Sequence, residues 1–135
     1  MKNTLNKNER LKAENDIKKV FRSKARFISF PIRVNYDVWE YKQGDAPVVV
    51  LIGCSKKGVK SAVNRIRIKR LIREVYRTNK SELYNYSHTN NKKLGLSLIY
   101  IGNEIPDFEF IELKIKEVLT RLLSKLNNTD IDEII

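Results

Sequence analysis

An α+β or α/β sandwich, with a central sheet and a basic helix, follows from three features of this chain. Its 135 residues, 41% hydrophobic and 32% charged, suit one unit large enough to bury a core without disulfides or metals. Apolar residues recur at helical spacing in some segments and crowd into β-branched, aromatic runs in others. The resulting order is helix, strand, strand, helix, strand, helix. No repeat, linker or composition break divides residues 1–135, which read as a single domain with a tail, 128–135, expected to fray.

Asn8 to Lys24 reads as a short amphipathic helix. Ala13, Ile17, Val20 and Phe21 share one side, and Lys12, Lys18, Lys19 and Arg22 take the rest. Phe27 to Tyr41 reads as strand, and Pro31 places it at an edge or a bulge because proline has no N–H for a ladder. Gly44 and Asp45, within Lys42–Ala46, carry turn chemistry, so a hairpin connection is expected there. Pro47 to Cys54 is nearly unbroken apolar sequence and predicts a central strand buried on both faces. Ser61 to about Lys80 predicts a helix whose stripe of Ile68, Leu71, Ile72, Val75 and Tyr76 faces the core. Residues 81–95 are polar and asparagine-rich and read as a loop; Leu96 to Ile101 reads as strand. Asp107, after Pro106, is expected to cap a last helix reaching Asn127. Its face of Ile111, Ile115, Val118, Leu119, Leu122, Leu123 and Leu126 is expected to pack on the sheet.

The formal charge is +11, from 27 Lys and Arg against 16 Asp and Glu, and it is unevenly placed. Residues 1–33 carry net +7 and 55–80 net +9, whereas 34–54 carry −2, 81–102 carry +1 and 103–135 carry −4. A merely solubilising surface intersperses its signs. Two basic blocks flanking an acidic stretch call for a shared polyanion, with nucleic acid a better fit than an anionic membrane, which needs a broad apolar helix face. On the Ser61–Lys80 helix, Lys69, Arg70, Arg73, Arg77 and Lys80 gather opposite the apolar stripe, flanked by Arg65 and Arg67. A solvated face normally mixes Glu with Lys, because like charges at i,i+4 destabilise a helix; here Glu74 is the sole acid. Such crowding suits phosphate partners, and the predominance of arginine suits bidentate contacts.

Ser55-Lys56-Lys57-Gly58-Val59-Lys60 joins the apolar strand to this helix, where backbone N–H groups and Lys56, Lys57 and Lys60 can meet a phosphate. It is not a nucleotide-hydrolase loop, because G-x-x-x-x-G-K-[ST] is absent. Cys54 and His88 are each the only residue of their type, which excludes an intramolecular disulfide and a Cys- or His-rich metal cluster. Nothing around His88 offers a nucleophile or an orienting acid, and no catalytic residue or metal ligand is assigned. Cys54 reads as a small buried hydrophobe. The lone thiol, the lack of an apolar signal segment and the lack of any ~20-residue apolar span fit a cytoplasmic protein. Phe21, Phe27, Phe30, Tyr36 and Trp39 are either core or platforms for unpaired bases. Phe21, beside basic residues on a short helix, is the strongest stacking candidate.

Ser55-Lys56-Lys57, then Ala62-Val63-Asn64-Arg65-Ile66-Arg67-Ile68-Lys69-Arg70 and Arg73-Glu74, follows an S-K-K turn, A-V-x-R-N-R-x-K-R and R-E. Upstream, Arg10-Leu11-Lys12 with Asp16, Val20 and Phe21 follows R-L-K…D-F-x-x-V-F. In both segments the chain resembles the protein subunit of bacterial ribonuclease P, and the resemblance covers nearly the whole sequence. Three departures stand out. Ile66 replaces the Asn of R-N-R, Ile17 replaces the first Phe, and Gly58-Val59-Lys60-Ser61 is one residue longer than the commonest turn.

The resemblance implies an α+β fold, a small two-layer α-β sandwich whose basic crossover helix has a left-handed sense, and an RNA-binding role within an endoribonuclease whose catalyst is RNA. The protein alone is then non-catalytic, and the holoenzyme removes the 5′ leader of precursor tRNA with Mg²⁺ held mainly by the RNA. It implies catalytic-RNA contacts from Lys56, Lys57, Lys60, Arg65, Arg67, Lys69, Arg70, Arg73 and Arg77. It also implies a leader cleft between the first helix and the sheet, formed from Arg10, Lys12, Ile17, Phe21, Phe30 and Tyr36. Charge alone fits equally a structural, ribosomal-type RNA-binding protein with no part in tRNA processing. A DNA reader would place base-reading residues near a recognition-helix start, where Asn64-Arg65 is a faint match. A protein-only nuclease would cluster acids for its own metal, whereas the acids here concentrate in the C-terminal third.

Overall fold

The computed structural model describes residues 7–134, with side chains through residue 128. A 3₁₀ turn at Lys7–Glu9 leads into α1 (Glu14–Arg22), β1 (Arg26–Ser29), β2 (Ile32–Glu40) and β3 (Val48–Cys54). Then come α2 (Ala62–Asn79), α3 (Ser81–Asn90), β4 (Lys92–Tyr100) and α4 (Phe108–Ile134). The strands form one sheet in the order β1-β2-β4-β3, with β3 and β4 parallel and the other neighbours antiparallel.

Strand alternation gives the sheet two unlike faces. Ile32, Val34 and Tyr36 of β2, Val48 and Val50 of β3, and Leu94, Leu96, Leu98 and Tyr100 of β4 share a buried core with the helical layer. That layer contributes Ile68, Ile72, Val75 and Tyr76 from α2, Leu83 and Tyr84 from α3, and the predicted α4 face, where Leu123 alone is half-buried. On the opposite face a smaller cluster of Leu11, Val20, Ala46 and Val49, with Ile17, Trp39 and Leu51 against it, seats α1 and the N-terminal segment. Gly95 makes that seating possible: a Cβ there would stand 2.5 Å from the Trp39 ring.

The mixed α/β sandwich agrees with expectation, and several elements differ. The first helix begins at Glu14 rather than Asn8, leaving Arg10 to form a bridge with Val50. Phe27–Tyr41 is two strands, the antiparallel pair β1 and β2, joined by a turn at Phe30 and Pro31. Gly44 (φ 94°) and the Asp45 N–H to Lys42 carbonyl bond do make a turn, but β2 and β3 are not a hairpin. β4 lies between them, so β3 is an edge strand whose apolar character comes from cover by helices on one face and the small cluster on the other. Residues 81–90, expected as loop, are helical. Leu83, Tyr84, Tyr86 and Ser87 are buried, and Asn91 (φ 52°) ends the helix in the left-handed conformation that Asn tolerates. Asp107 does cap α4, its Oδ1 accepting the Phe110 N–H at 2.8 Å. The helix passes Asn127 and runs to Ile134; side chains of the tail expected to fray, from residue 129, and all of Ile135 lie outside the described residues.

Candidate nucleic-acid interface

The basic segment is organised before any partner arrives. Ser61 caps α2, its Oγ accepting the Asn64 N–H at 3.3 Å, and no acid occupies the first turn. Arg65 is half-buried, and its Nη1 donates to the carbonyls of Val59 (2.9 Å) and Lys60 (2.8 Å). One guanidinium group therefore shapes the turn that displays Lys56, Lys57 and Lys60, all exposed. Gly58 lets that turn touch the end of β4, where a Cβ would collide with the Gly102 carbonyl.

Along α2, Arg67 and Arg70 are exposed and Lys69 and Arg73 are half-buried. Ile66 is 46% exposed between Arg65 and Arg67, and Val63, one turn earlier on α2, is exposed as well. Two cations depart from expectation. Arg77 binds its own helix neighbour, with Nη2 2.5 Å from Glu74 Oε1, and that hydrogen bond holds the Glu74 carboxyl below its ordinary range. Lys80 is not on the basic face. It is the residue after α2, buried, with Nζ 2.6 Å from Glu9 Oε1. Cys54, half-buried rather than fully so, packs on the main core; burial pushes its thiol pKa up, while Arg65 and Lys69 act in the opposite direction.

The residues expected to line a cleft beside α1 do not all gather there. Ile17 packs under α1 in the small cluster, and Phe21, 36% exposed, stands on the same helix. Tyr36 points the other way. It shares the core face with Ile32 and Val34, meets Phe27 edge-on at 6.5 Å, and burial raises its phenol pKa. Phe30, 65% exposed at the β1–β2 turn, lines a cavity with Tyr100, Ile105, Pro106 and Phe110 near the start of α4. Trp39 is half-buried, with the Lys19 ammonium 5.2 Å from its ring centre.

Arg10 and Lys12 are exposed and line a groove of about 190 Å³ with Leu11, Val50, Leu51, Ile52 and Arg73. The two basic blocks, widely separated in sequence, thus meet at the outer edge of β3. Sequence reading also passed over Arg33, exposed on the open sheet face, and buried Asn35 and Ser97, paired across β2 and β4 on that face. The polar alternation Arg33, Asn35, Asp37 was the available signal. Among the described residues no three His, Cys, Asp or Glu side chains converge as a metal site, and no helix is long and apolar enough to cross a membrane.

Comparison with known proteins agrees across most of the chain. The Ribonuclease P family model matches residues 5–123. The chain is 32% identical over 118 residues to a ribonuclease P protein component of Porphyromonas gingivalis, covering 87% of this chain and 85% of that protein. It is 31% identical over 134 residues to the component of Chlorobium phaeobacteroides, covering 92% of each. The solved Staphylococcus aureus RNase P protein superposes with a TM-score of 0.64 at 20% identity, over 84% of this chain and 94% of that one, a likeness of fold. The chain belongs to the ribonuclease P protein family, whose members serve tRNA processing as an RNA-binding subunit.

Proposed function

We propose that the chain joins a catalytic ribonuclease P RNA in the cytoplasm and assists endonucleolytic removal of the 5′ leader from precursor tRNA. The observation that carries this reading is the continuity of the cations. They run from Lys56, Lys57 and Lys60 through Arg67, Arg70 and Arg73 of α2 to Arg10 and Lys12 at the β3 edge. α2 and the turn before it bind the catalytic RNA. Ile17 and Phe21 border a leader cleft, where the exposed part of Phe21 stacks on an unpaired base.

The protein alone does no chemistry in this reading. Its interface offers ammonium and guanidinium groups, with Glu74 tied to Arg77, and this donor set does not suit a hard cation that takes oxygen ligands. Magnesium is therefore assigned to the RNA, and the residues of this chain neutralise and orient phosphates.

A three-arm assay of precursor tRNA cleavage tests the proposal. Protein alone is expected to be inactive, the catalytic RNA alone weak at physiological magnesium, and the two together efficient. Cleavage by the protein alone overturns it in favour of a protein-only nuclease, and no gain on combining the two overturns it in favour of a purely structural RNA binder. If six phosphates are contacted, log affinity falls against log salt with a slope of about −4 to −5. A slope shallower than about −2 means the cations do not meet phosphates.

A further inference from the structure

Glu9 is the one buried acid among the residues whose side chains are described, in a chain whose formal charge is +11. Its Oε1 takes the Lys80 ammonium at 2.6 Å and also accepts a hydrogen bond from the Tyr84 hydroxyl. The Lys80 nitrogen in turn lies 5.1 Å from the Tyr84 ring centre. Desolvating a carboxylate and an ammonium is unfavourable, and their attraction offsets this only in good geometry with further hydrogen bonds. The pair spans 71 positions and fastens the N-terminal 3₁₀ turn to the junction of α2 and α3.

The next residues use that anchor. Arg10 bridges to Val50, and the Leu11 N–H donates to the Val50 carbonyl at 2.9 Å with the Leu11 side chain buried. A three-residue 3₁₀ turn has little stability of its own, and α1 starts only at Glu14. Arg10 and Lys12 nevertheless stand beside Arg73 on one groove, an arrangement of like charges that mutual repulsion opposes.

We infer that Glu9 is a positioning residue: clamped by Lys80 and Tyr84, it holds Arg10 and Lys12 beside Arg73, at the groove where they meet the 5′ leader of precursor tRNA. The inference rests on the RNA-binding role above, and its first readout is independent of RNA. In Glu9→Gln, exchange of the Leu11 amide is expected to accelerate at least about tenfold while α2 and β4 amides keep their protection. In the holoenzyme reconstituted with catalytic RNA, the same variant is expected to bind precursor tRNA roughly threefold to tenfold more weakly.

A merely structural role lowers affinity in every background. A positioning role gives no further loss once Arg10→Ala and Lys12→Ala are present, yet adds in full to Arg67→Ala. If Glu9→Gln does not fold, Tyr84→Phe removes one hydrogen bond to Glu9, keeps the ion pair, and is expected to show the same pattern at smaller size. A Leu11 amide that stays protected in the folded variants overturns the clamp. Released Leu11 with unchanged tRNA affinity, or an equal loss in the Arg10→Ala, Lys12→Ala background, overturns the positioning role. Failure of the wild-type holoenzyme to bind tRNA in a salt-dependent manner sinks the RNA reading and the positioning role together, and the exchange result still decides the clamp.

Discussion

The two faces of the sheet use the same strands for opposite purposes. One face presents Ile32, Val34, Tyr36, Val50, Leu96 and Leu98 to three helices and is sealed. The other carries Arg33, exposed, Asp37, half-buried, and the buried Asn35, Ser97 and Ile99, beside the cluster of Trp39, Val49 and Leu51 that seats α1 and the N-terminal segment. Along β2 the exposed Arg33 therefore alternates with the buried Ile32 and Val34. A substitution on the sealed face is felt in the fold, whereas one at Arg33 is felt at the surface.

The largest effect that can break this comparison is Tyr36→Ala. Tyr36 is buried against Phe27 and the helical layer, so its truncation is expected to destabilise the free protein by about 3–5 kcal/mol. Exposed Arg33, three positions before it, is expected to tolerate alanine within about 0.5 kcal/mol. Urea unfolding of the two variants decides the matter. Equal small changes would return Tyr36 to the surface and to the leader cleft.

Phe21→Ala comes next. At 36% exposure the ring is split between packing and solvent, so the variant is expected to fold with a reduced melting temperature. If its ring stacks on a leader base as proposed, the variant is expected to bind precursor tRNA more weakly by ~1–3 kcal/mol, with mature tRNA and assembly with the catalytic RNA nearly unchanged. Arg67→Ala with Arg70→Ala gives the converse pattern, weakening assembly whatever the leader. A folded Phe21→Ala protein that loses affinity equally for precursor and mature tRNA would remove the ring from leader recognition.

A smaller effect of the opposite sign tests the open face itself. Ser97 Oγ is fully buried with no hydrogen-bond partner among the described residues, although the polar Asn35 pairs with it across the strands. An unsatisfied buried hydroxyl is a liability, and Ser97→Ala is expected to raise stability by about 1 kcal/mol. A loss of stability on thermal or urea unfolding would show that the hydroxyl has a partner in solution, such as bound water.

The sequence made α2 and α4 legible because their signals are local. The stripe from Ile68 to Tyr76 and the Asp107 cap each lie within a few turns of chain. The order of the strands was not legible. An apolar run such as Val48–Cys54 records burial on both sides, and an edge strand covered by the N-terminal segment reads the same as a central one. α3 was hidden by its asparagines, although Leu83, Tyr84 and Ser87 already had helical spacing. Tyr36 was misplaced by reading its ring as chemistry and overlooking parity, since Ile32, Val34 and Tyr36 alternate with Arg33, Asn35 and Asp37. Lys80 was misplaced because a helical wheel was carried one residue past the end of α2, where the side chain turns inward to Glu9.

The smallest effect concerns Ile66, where a helix of the sealed layer shows its outer side. An isoleucine 46% exposed among Arg65, Arg67 and Arg70 contributes little to the core, so Ile66→Asn is expected to change stability by no more than about 0.5 kcal/mol. Its effect on RNA distinguishes two uses of that position. If the neighbouring phosphates or base edges are within reach, the amide adds one net hydrogen bond, and affinity for the catalytic RNA rises by up to ~1 kcal/mol. If Ile66 and the exposed Val63 instead press on a sugar or base face, the polar replacement removes apolar contact and affinity falls. Titrating the catalytic RNA with both proteins at one salt concentration gives the sign. A gain is expected if, as proposed, the surrounding cations draw phosphate oxygens to this turn of α2, where an amide can reach them. Marked loss of thermal stability in the free Ile66→Asn protein would instead place Ile66 in the core and shift the binding face of α2 around the helix.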